Sequence, residues 1–250
     1  MVEPKGIYKL LGGIWAVWLA IHFLLFFLLL YPLFWFFLSH PKRYLWGHRL
    51  RAWWGRYILT LALIRWQVTF EAPLEKGKTY IFAPNHSSYL DIPSIAVMLP
   101  GYLIFMAKAE LAKVPLFNIF FKSIDIPVER KSAVKAHRAF MEAAERIKLG
   151  SSICMFPEGT IPAHAPELGK FKDGPFRLAI ENEVAVVPIT LADNHKRMPD
   201  KGGFYVFPGK MRMYVHRPIS VNGLNLEDAS ELKQKVYRII ESKLAEYARE

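Results

Sequence analysis

Residues 81–91 read Ile-Phe-Ala-Pro-Asn-His-Ser-Ser-Tyr-Leu-Asp, and this stretch decides both the fold class and the chemistry of the chain. It begins as an apolar run typical of a buried strand, breaks at Pro84-Asn85, and becomes helical after Ser87-Ser88. His86 is therefore predicted in a strand-to-helix loop, with Asp91 one turn into the helix. From that loop the imidazole can fold back onto the carboxylate, which would fix one ring nitrogen and leave the other free to take a proton.

The same residues admit a purely structural interpretation. Ser88 and Asp91 have the spacing of a helix capping box, and the helix dipole favours an aspartate in a first turn. A histidine followed five residues later by an aspartate is also common by chance. The catalytic interpretation therefore depends on residues elsewhere in the chain.

Length and charge limit the kinds of protein to be considered. The chain has 250 residues, which suits one compact domain with an appendage, and it carries a net charge of +11. Such a charge suits nucleic acid, an anionic membrane or an acidic partner, but the sequence has no nucleic-acid-binding motif, so no nucleic-acid partner is expected. The single cysteine, Cys154, excludes an internal disulfide and is predicted in the core.

The segment from Ile14 to Leu38 is almost wholly apolar. It exceeds the roughly 20 residues that cross a bilayer and is too long for the roughly 7–15 apolar residues of a signal peptide. Ser39-His40-Pro41 is also a poor cleavage site. A retained membrane helix is predicted.

A second helix is predicted from Pro41 to about Ile64. Its apolar residues recur every three or four positions, and arginines occupy the other faces. Arginine is costly at a bilayer centre and tryptophan favours the interface, so this helix is expected in the headgroup region, or else packed on a soluble domain. Residues 1–66 are thus predicted to form a two-helix membrane anchor, and residues 67–250 a catalytic domain.

The distribution of charge around the first helix predicts its orientation. The basic residues that follow it outnumber Lys5 and Lys9, which precede it. If the helix spans the bilayer, the bulk of the protein lies on the cytoplasmic face of the plasma (inner) membrane. If the helix only dips into one leaflet, both of its ends lie on one face, and the sequence leaves that alternative open.

Beyond Val68, short apolar runs alternate with helical segments, which predicts an α/β fold with a mostly parallel or mixed β-sheet flanked by helices. The predicted strands are Tyr80–Ala83, Tyr102–Ala107, Ile124–Val128, Ser152–Phe156 and Val184–Thr190. The predicted helices are Ser88–Met98, Pro115–Lys122, Ser132–Leu149, Gly174–Asn182 and Ser230–Ala248. A hairpin is predicted from Phe204–Phe207 and Met211–His216.

Polar residues follow four of the predicted strands, where the carboxyl ends of an open α/β sheet form a site. An arginine there offers a fork for phosphate, and Lys170 and Lys172 add cations in a later loop, although each of these residues taken alone is more often an ordinary surface or turn residue. The chain has no Gly-x-Ser-x-Gly elbow, zinc motif or phosphate loop. The four clusters are Asn85-His86, Lys108-Ala109-Glu110, Glu129-Arg130 and Pro157–Thr160.

In combination these residues resemble the membrane glycerolipid acyltransferases, and specifically the 1-acylglycerol-3-phosphate acyltransferases. The first motif of that family is Asn-His-x-Ser-x-x-Asp, the second ends in arginine after an apolar strand, the third is Phe-Pro-Glu-Gly-Thr-Arg, and the fourth is an apolar-Pro-apolar triplet. The matching positions are Asn85, His86, Ser88 and Asp91, then Arg130, then Phe156 to Thr160, then Val187-Pro188-Ile189, with a further Lys-x-Glu-Leu feature at Lys108, Glu110 and Leu111.

Two positions depart from the family pattern. Ile161 stands where the third motif has arginine, and Ser123 stands where the second motif often begins with glycine. The phosphate charge is therefore expected from Arg130, from Lys108 or from the Lys170/Lys172 pair.

The resemblance implies acyl transfer from a thioester to the sn-2 hydroxyl of lysophosphatidic acid at a phospholipid membrane. His86 would be the general base and Asp91 would orient it, while Glu158 and Arg130 would hold the glycerol phosphate beside Gly159 and Thr160. Backbone N–H groups would stabilise the oxyanion, no metal or other cofactor is expected, and the donor is an acyl carrier protein or coenzyme A thioester.

Three alternatives remain open. The first is an acyltransferase of the same family whose acceptor is glycerol 3-phosphate, dihydroxyacetone phosphate or another lysophospholipid. A membrane lipid hydrolase is disfavoured because the sequence lacks a serine or cysteine nucleophile motif. A non-catalytic phospholipid-binding adaptor would not need His86.

Overall fold

A seven-stranded sheet forms the centre of the protein, in the order β1-β7-β6-β2-β5-β3-β4. The computed structural model describes residues 6–200 and 202–250. All neighbouring strands are parallel except β6 and β7, which are antiparallel. The predicted α/β class with a mostly parallel sheet is confirmed. The strands are β1 (Ile64–Phe70), β2 (Ile81–Pro84), β3 (Leu103–Lys108), β4 (Ile126–Val128), β5 (Ser152–Cys154), β6 (Val186–Leu191) and β7 (Gly209–Val215).

Helices precede, connect and follow these strands. The α-helices are α1 (Ile7–Leu38), α2 (Tyr44–Leu61), α3 (Asp91–Met98), α4 (Asn118–Phe121), α5 (Ala133–Lys148), α6 (Gly174–Glu181), α7 (Asn194–Arg197) and α8 (Ala229–Arg249). Short 3₁₀ helices occupy Pro41–Arg43, Ala109–Lys113 and Leu226–Asp228.

The two faces of the sheet carry different helices, because side chains along a strand alternate in direction. In β3, Leu103 and Phe105 pack with α1, α2 and α3 on one face. Ile104 and Met106 pack with α5, α6 and α8 on the other face. Both faces are therefore buried, which explains the continuous apolar runs of the parallel strands.

The amino-terminal half of α1 packs on the first of these faces through Ala16 and Leu19, and its carboxyl-terminal half packs on α2 and α4. Its buried residues form one stripe, and most of its other apolar side chains are exposed. Among the described residues it is the one helix long and apolar enough to cross a membrane. It begins at Ile7 rather than Ile14, and Lys5 lies outside the described residues. The buried stripe consists of Gly12, Ala16, Leu19, Phe27, Leu30, Phe34 and Leu38.

A buried ion pair joins α2 to the sheet. Arg51 Nη1 lies 2.5 Å from Asp125 Oδ2, and Asp125 Oδ1 accepts the backbone N–H of Phe105 at 3.0 Å. The Arg51 guanidinium also bonds His48 Nδ1 at 2.9 Å. Burial, together with the Arg51 charge, lowers the pKa of His48 to about 3. Arg51 thus anchors α2 to the domain, and the headgroup position expected for the other arginines stays a prediction.

Two expectations about the chain path are wrong. The second helix was expected to reach Ile64, but α2 ends at Leu61, and Leu63 takes a left-handed φ of 53° before β1 begins. The boundary at residues 66/67 falls inside β1 and stays a prediction. Residues 204–207 form no strand, because β7 is already paired on both edges by β1 and β6. That segment instead lies on α1, where Gly12 O accepts the N–H of Val206.

Candidate active site

His86 and Asp91 form a close pair in the loop between β2 and α3. His86 Nδ1 lies 2.7 Å from Asp91 Oδ2. The His86 side chain is 15 % exposed and that of Asp91 is fully buried. The imidazole stacks on Phe156, with ring centroids 4.1 Å apart. One ring nitrogen is thus held by the carboxylate in a fixed ring orientation, which is the arrangement of a positioned base.

Backbone and side-chain donors hold the Asp91 carboxylate in place. Oδ2 accepts the N–H groups of Ser87 at 2.7 Å and Ser88 at 2.9 Å, and Oδ1 accepts from Asn194 Nδ2 at 2.7 Å. The Ser88 contact is one half of a capping box. The Ser88 hydroxyl does not complete the box, because it donates to Met198 O and accepts from Leu90 N. The capping bonds and the histidine contact therefore belong to one arrangement.

Sequence reasoning missed Asn194. This residue follows β6, and its Nδ2 bonds both Asp91 Oδ1 and Ser94 Oγ. Its neighbour Asp193 is held by Arg212 through contacts of 2.6 and 3.0 Å. The signal was present, because Asp193-Asn194 is a polar pair at the carboxyl end of a strand, as in the four clusters that were identified.

Glu158 uses both carboxylate oxygens within the protein. Oε1 accepts the N–H of His86 and Oε2 that of Gly169, each at 2.7 Å. Burial raises the pKa of Glu158, while these two N–H bonds act in the opposite direction. The carboxylate thereby links the loop after β5 to the His86 loop. Its expected contact with the glycerol phosphate stays a prediction, and the geometry gives it a positioning role.

Lys172 lies over the turn that follows β5. Gly159 there has a φ of +74°, and a Cβ atom added to it would lie 3.1 Å from Lys172 Nζ. Lys172 itself is exposed, as are Lys170 and Thr160. Among the predicted cations, Lys172 is thus the one whose ammonium group contacts the third motif.

Lys108 and Arg130 lie further along the same edge of the sheet. Lys108 ends β3 and forms an ion pair with Glu110 at 3.5 Å, and its register partner in β4 is Val128. Arg130 follows β4, and its side chain is largely exposed. Loss of water around the guanidinium lowers the pKa of Arg130, while the negative charge of Glu110 acts to raise it. Strands lie about 4.8 Å apart, so β4 is three strand spacings from β2, whereas β5 is adjacent to it.

The loops at this edge carry an imidazole, the buried carboxylate that holds it, and several cations. No cluster of three or more His, Cys, Asp or Glu side chains that would hold a metal occurs within residues 6–200 and 202–250. The arrangement suits proton removal from a hydroxyl beside an anionic group.

Comparisons with known proteins identify similar sequences and a similar fold. The acyltransferase family model matches residues 65–192, slightly more than half of the chain. A chloroplastic 1-acyl-sn-glycerol-3-phosphate acyltransferase of Arabidopsis thaliana is 31 % identical over 140 residues, which are 56 % of this chain and 39 % of that protein. The 1-acyl-sn-glycerol-3-phosphate acyltransferase of Haemophilus influenzae is 28 % identical over 172 residues, 66 % of this chain and 68 % of that protein.

One solved structure shares the fold. The crystal structure of the 1-acyl-sn-glycerophosphate acyltransferase of Thermotoga maritima matches with a TM-score of 0.78 at 24 % identity, over 98 % of each chain. The chain spans about two fifths of the length of the chloroplastic relatives it matches. The match of the family model to residues 65–192 shows that the chain belongs to the acyltransferase family.

Proposed function

We propose that this protein transfers a fatty acyl group from an acyl thioester to the sn-2 hydroxyl of 1-acylglycerol 3-phosphate, giving phosphatidic acid. The observation that carries the proposal is the 2.7 Å contact between His86 Nδ1 and the buried Asp91 carboxylate, with the imidazole partly exposed. The relatives named above as 1-acyl-sn-glycerol-3-phosphate acyltransferases support the choice of acceptor.

In the proposed reaction the sn-2 oxygen attacks the thioester carbonyl carbon, so that a C–O bond forms and the C–S bond breaks. The hydroxyl proton passes to His86 Nε2 and then to the leaving thiolate, which returns the imidazole to its neutral form. Asp91 keeps the other proton on Nδ1 and stabilises the intermediate imidazolium. General-base catalysis of this kind contributes about 10²–10⁴-fold.

Cations near His86 would bind the acceptor phosphate. Lys172 is the first candidate, because its ammonium group lies over Gly159, in the loop next to His86. Lys108 ends β3 and Arg130 follows β4, so both lie further from His86 along the sheet than Lys172 and are weaker candidates for the same phosphate. Glu158, Gly159 and Thr160 would shape the turn between these groups. Lys172 would supply the positive charge of the third-motif arginine, whose position is occupied by Ile161.

The proposed position of the protein at the membrane rests on α1. Fully exposing a C16 acyl chain to water would cost on the order of 12 kcal/mol, at about 0.8 kcal/mol per CH₂. The acyl chains must therefore stay in an apolar setting during transfer. The buried stripe along α1 supports a helix that lies in one leaflet, with residues 1–66 as the anchor. The expected position of the remaining domain on the cytoplasmic face of the plasma (inner) membrane belongs to the other arrangement, in which α1 spans the bilayer.

The test uses the purified full chain in phosphatidylglycerol-containing vesicles with lysophosphatidic acid and an acyl thioester. Free thiol and lipid product are followed together. Phosphatidic acid equal to the thiol released, with a loss of about 10²–10⁴-fold in His86→Ala at an unchanged unfolding midpoint, is the expected result. Thiol without phosphatidic acid would instead indicate another acceptor or hydrolysis. Full activity in His86→Ala would show that the contact between His86 and Asp91 is not catalytic and that Asp91 only caps the helix.

A further inference from the structure

The amino-terminal end of α5 carries a cluster of exposed basic residues, at the end of a helix where positive charge is unfavourable. Lys135 and Arg138 are exposed and share one helix face at a spacing of three, and the exposed Lys131 lies just before the helix. The first turn of α5 contains no acidic residue. A helix amino terminus favours negative side chains, so Lys135 in the first turn and Lys131 just before it oppose the helix dipole instead of stabilising it. A surface that breaks this rule is a candidate for a binding role.

The two halves of α5 differ in how their charges are paired. In the carboxyl-terminal half, Arg146 pairs with Glu142 at 3.5 Å and Lys148 with Glu145 at 2.8 Å. The cations of the amino-terminal half form no ion pair with any residue in 6–200 or 202–250. Their charge is therefore available to an external anionic partner.

Exposed apolar side chains lie beside these cations. Val134 is 65 % exposed and Met141 is 54 % exposed, and both share a helix face with Arg138. Apolar contacts flanked by charges are characteristic of a protein interface. A small anionic ligand would use the cations and leave the two apolar side chains in water.

The position of α5 separates this surface from the membrane. The apolar face of α5 packs on the side of the sheet opposite to α1. When the exposed apolar side chains of α1 lie in lipid, the cations of α5 face water. Because α5 begins just after β4, this surface also lies near the carboxyl ends of the parallel strands, where the His86 loop is found.

We propose that residues Lys131, Val134, Lys135, Arg138 and Met141 form a docking surface for a small acidic protein that carries the acyl thioester. This inference rests on the proposed function and names the donor for that same site. The carrier approaches from water, and its thioester reaches His86 along the carboxyl edge of the sheet. The acceptor lipid comes from the opposite, membrane-facing side, so the two substrates do not compete for one entrance.

The test compares two double charge reversals in the full chain, in vesicles. Lys135→Glu with Arg138→Glu alters the proposed surface. Lys235→Glu with Arg238→Glu is the matched control, because it reverses the same two residue types at the same spacing on α8, on the same side of the sheet. Each protein is assayed with an acyl–acyl carrier protein and with acyl-coenzyme A, at low and high salt.

The expected result is a fall of about tenfold or more in kcat/KM with the carrier-protein donor for the α5 variant. Its activity with acyl-coenzyme A should stay within about twofold of wild type, and the α8 variant should match wild type with both donors. Salt should reduce wild-type activity with the carrier protein and affect the α5 variant less.

Several outcomes would overturn the docking surface. These are equal losses with both donors, equal losses in both variants, wild-type use of acyl-coenzyme A alone, or weaker vesicle binding by the α5 variant, which would indicate a membrane contact. Wild-type protein that uses neither donor would instead contradict the proposed function itself.

Discussion

Asn194 Nδ2 lies 2.7 Å from Asp91 Oδ1, although the two residues are 103 positions apart in the chain. This bond joins the loop after β6 to the start of α3. It fixes the carboxylate oxygen that does not face His86, and so it controls how Asp91 meets the imidazole. The chain reaches this geometry by bringing together the carboxyl ends of two neighbouring strands, β2 and β6.

Replacing Asn194 should weaken catalysis through the orientation of Asp91. In Asn194→Ala, Asp91 Oδ1 loses its side-chain donor, so the carboxylate holds the imidazole less firmly in one orientation. The value of kcat should fall about tenfold to hundredfold, less than on removing the base itself. The measurements are the steady-state rate of phosphatidic acid formation and the free energy of unfolding.

Asn182→Ala is the control for that variant. Asn182 also donates one side-chain bond to the protein, to Leu178 O at 2.8 Å, but it lies at the end of α6, away from His86. Its kcat should match that of wild type. A kcat for Asn194→Ala that falls only because less of the protein is folded would mean that Asn194 has a structural role alone.

The two loop lysines should differ in their effect on acceptor binding. Lys172 contacts the Gly159 turn, and Lys170 is exposed two residues earlier. Lys172→Ala should raise the KM for lysophosphatidic acid by about tenfold, the value of one charge-assisted hydrogen bond of roughly 1.5 kcal/mol, and Lys170→Ala by less than about twofold. Steady-state kinetics at fixed donor concentration gives both values. Equal effects would show that the loop acts through net charge and not through this contact.

Breaking the Arg51–Asp125 pair should destabilise the fold more than removing both partners. Asp125→Ala leaves a buried, unpaired guanidinium and should cost about 3–5 kcal/mol of the free energy of unfolding. In the double variant Arg51→Met with Asp125→Asn, an amide oxygen remains for the N–H of Phe105. Denaturant unfolding should show that the double variant regains at least half of the loss. Strictly additive losses would contradict a coupled pair.

Stability should fall in mild acid because His48 is buried in its neutral form. The pKa of His48 is lowered to about 3 from an ordinary 6.5. Below pH 6.5 His48 therefore binds a proton in the unfolded chain but stays neutral in the folded protein. Unfolding free energy should then fall by about 1.4 kcal/mol per pH unit from this group, until pH approaches 3.

Thermal unfolding between pH 4 and 7 measures the His48 contribution. His48→Asn keeps an acceptor for Arg51 and should flatten the slope by about one proton. His137→Asn, which replaces an exposed histidine on α5, should leave the slope unchanged. A wild-type slope in both variants would place the acid sensitivity elsewhere.

The local sequence predicted the contact between His86 and Asp91 and the class of the sheet. His86 and Asp91 are five residues apart, so their approach follows from the strand, the loop and the first helical turn, all of which are local. The parallel strands were recognisable because both of their faces are buried, which produces the apolar runs at Tyr80–Ala83 and Tyr102–Ala107.

Features that depend on distant partners were not predicted. The strand β1 was missed because Ile64 continues the apolar spacing of α2, and nothing local marks the left-handed turn at Leu63. The positioning role of Glu158 depends on the backbone of His86 and Gly169, which no side-chain pattern encodes. Asn194 likewise gains its role from a fold-level contact.

The pairing of β1 with β7 has a consequence for biosynthesis. Ile64 lies beside Gly209 in the sheet, about 145 residues later in the chain. At roughly 5–20 residues per second, β1 leaves the ribosome on the order of 10 seconds before its partner strand. Throughout that interval the edge of β1 is unpaired, and α1 and α2 are already made. Early insertion of these helices into lipid would hold the waiting strand at the membrane and away from other nascent chains.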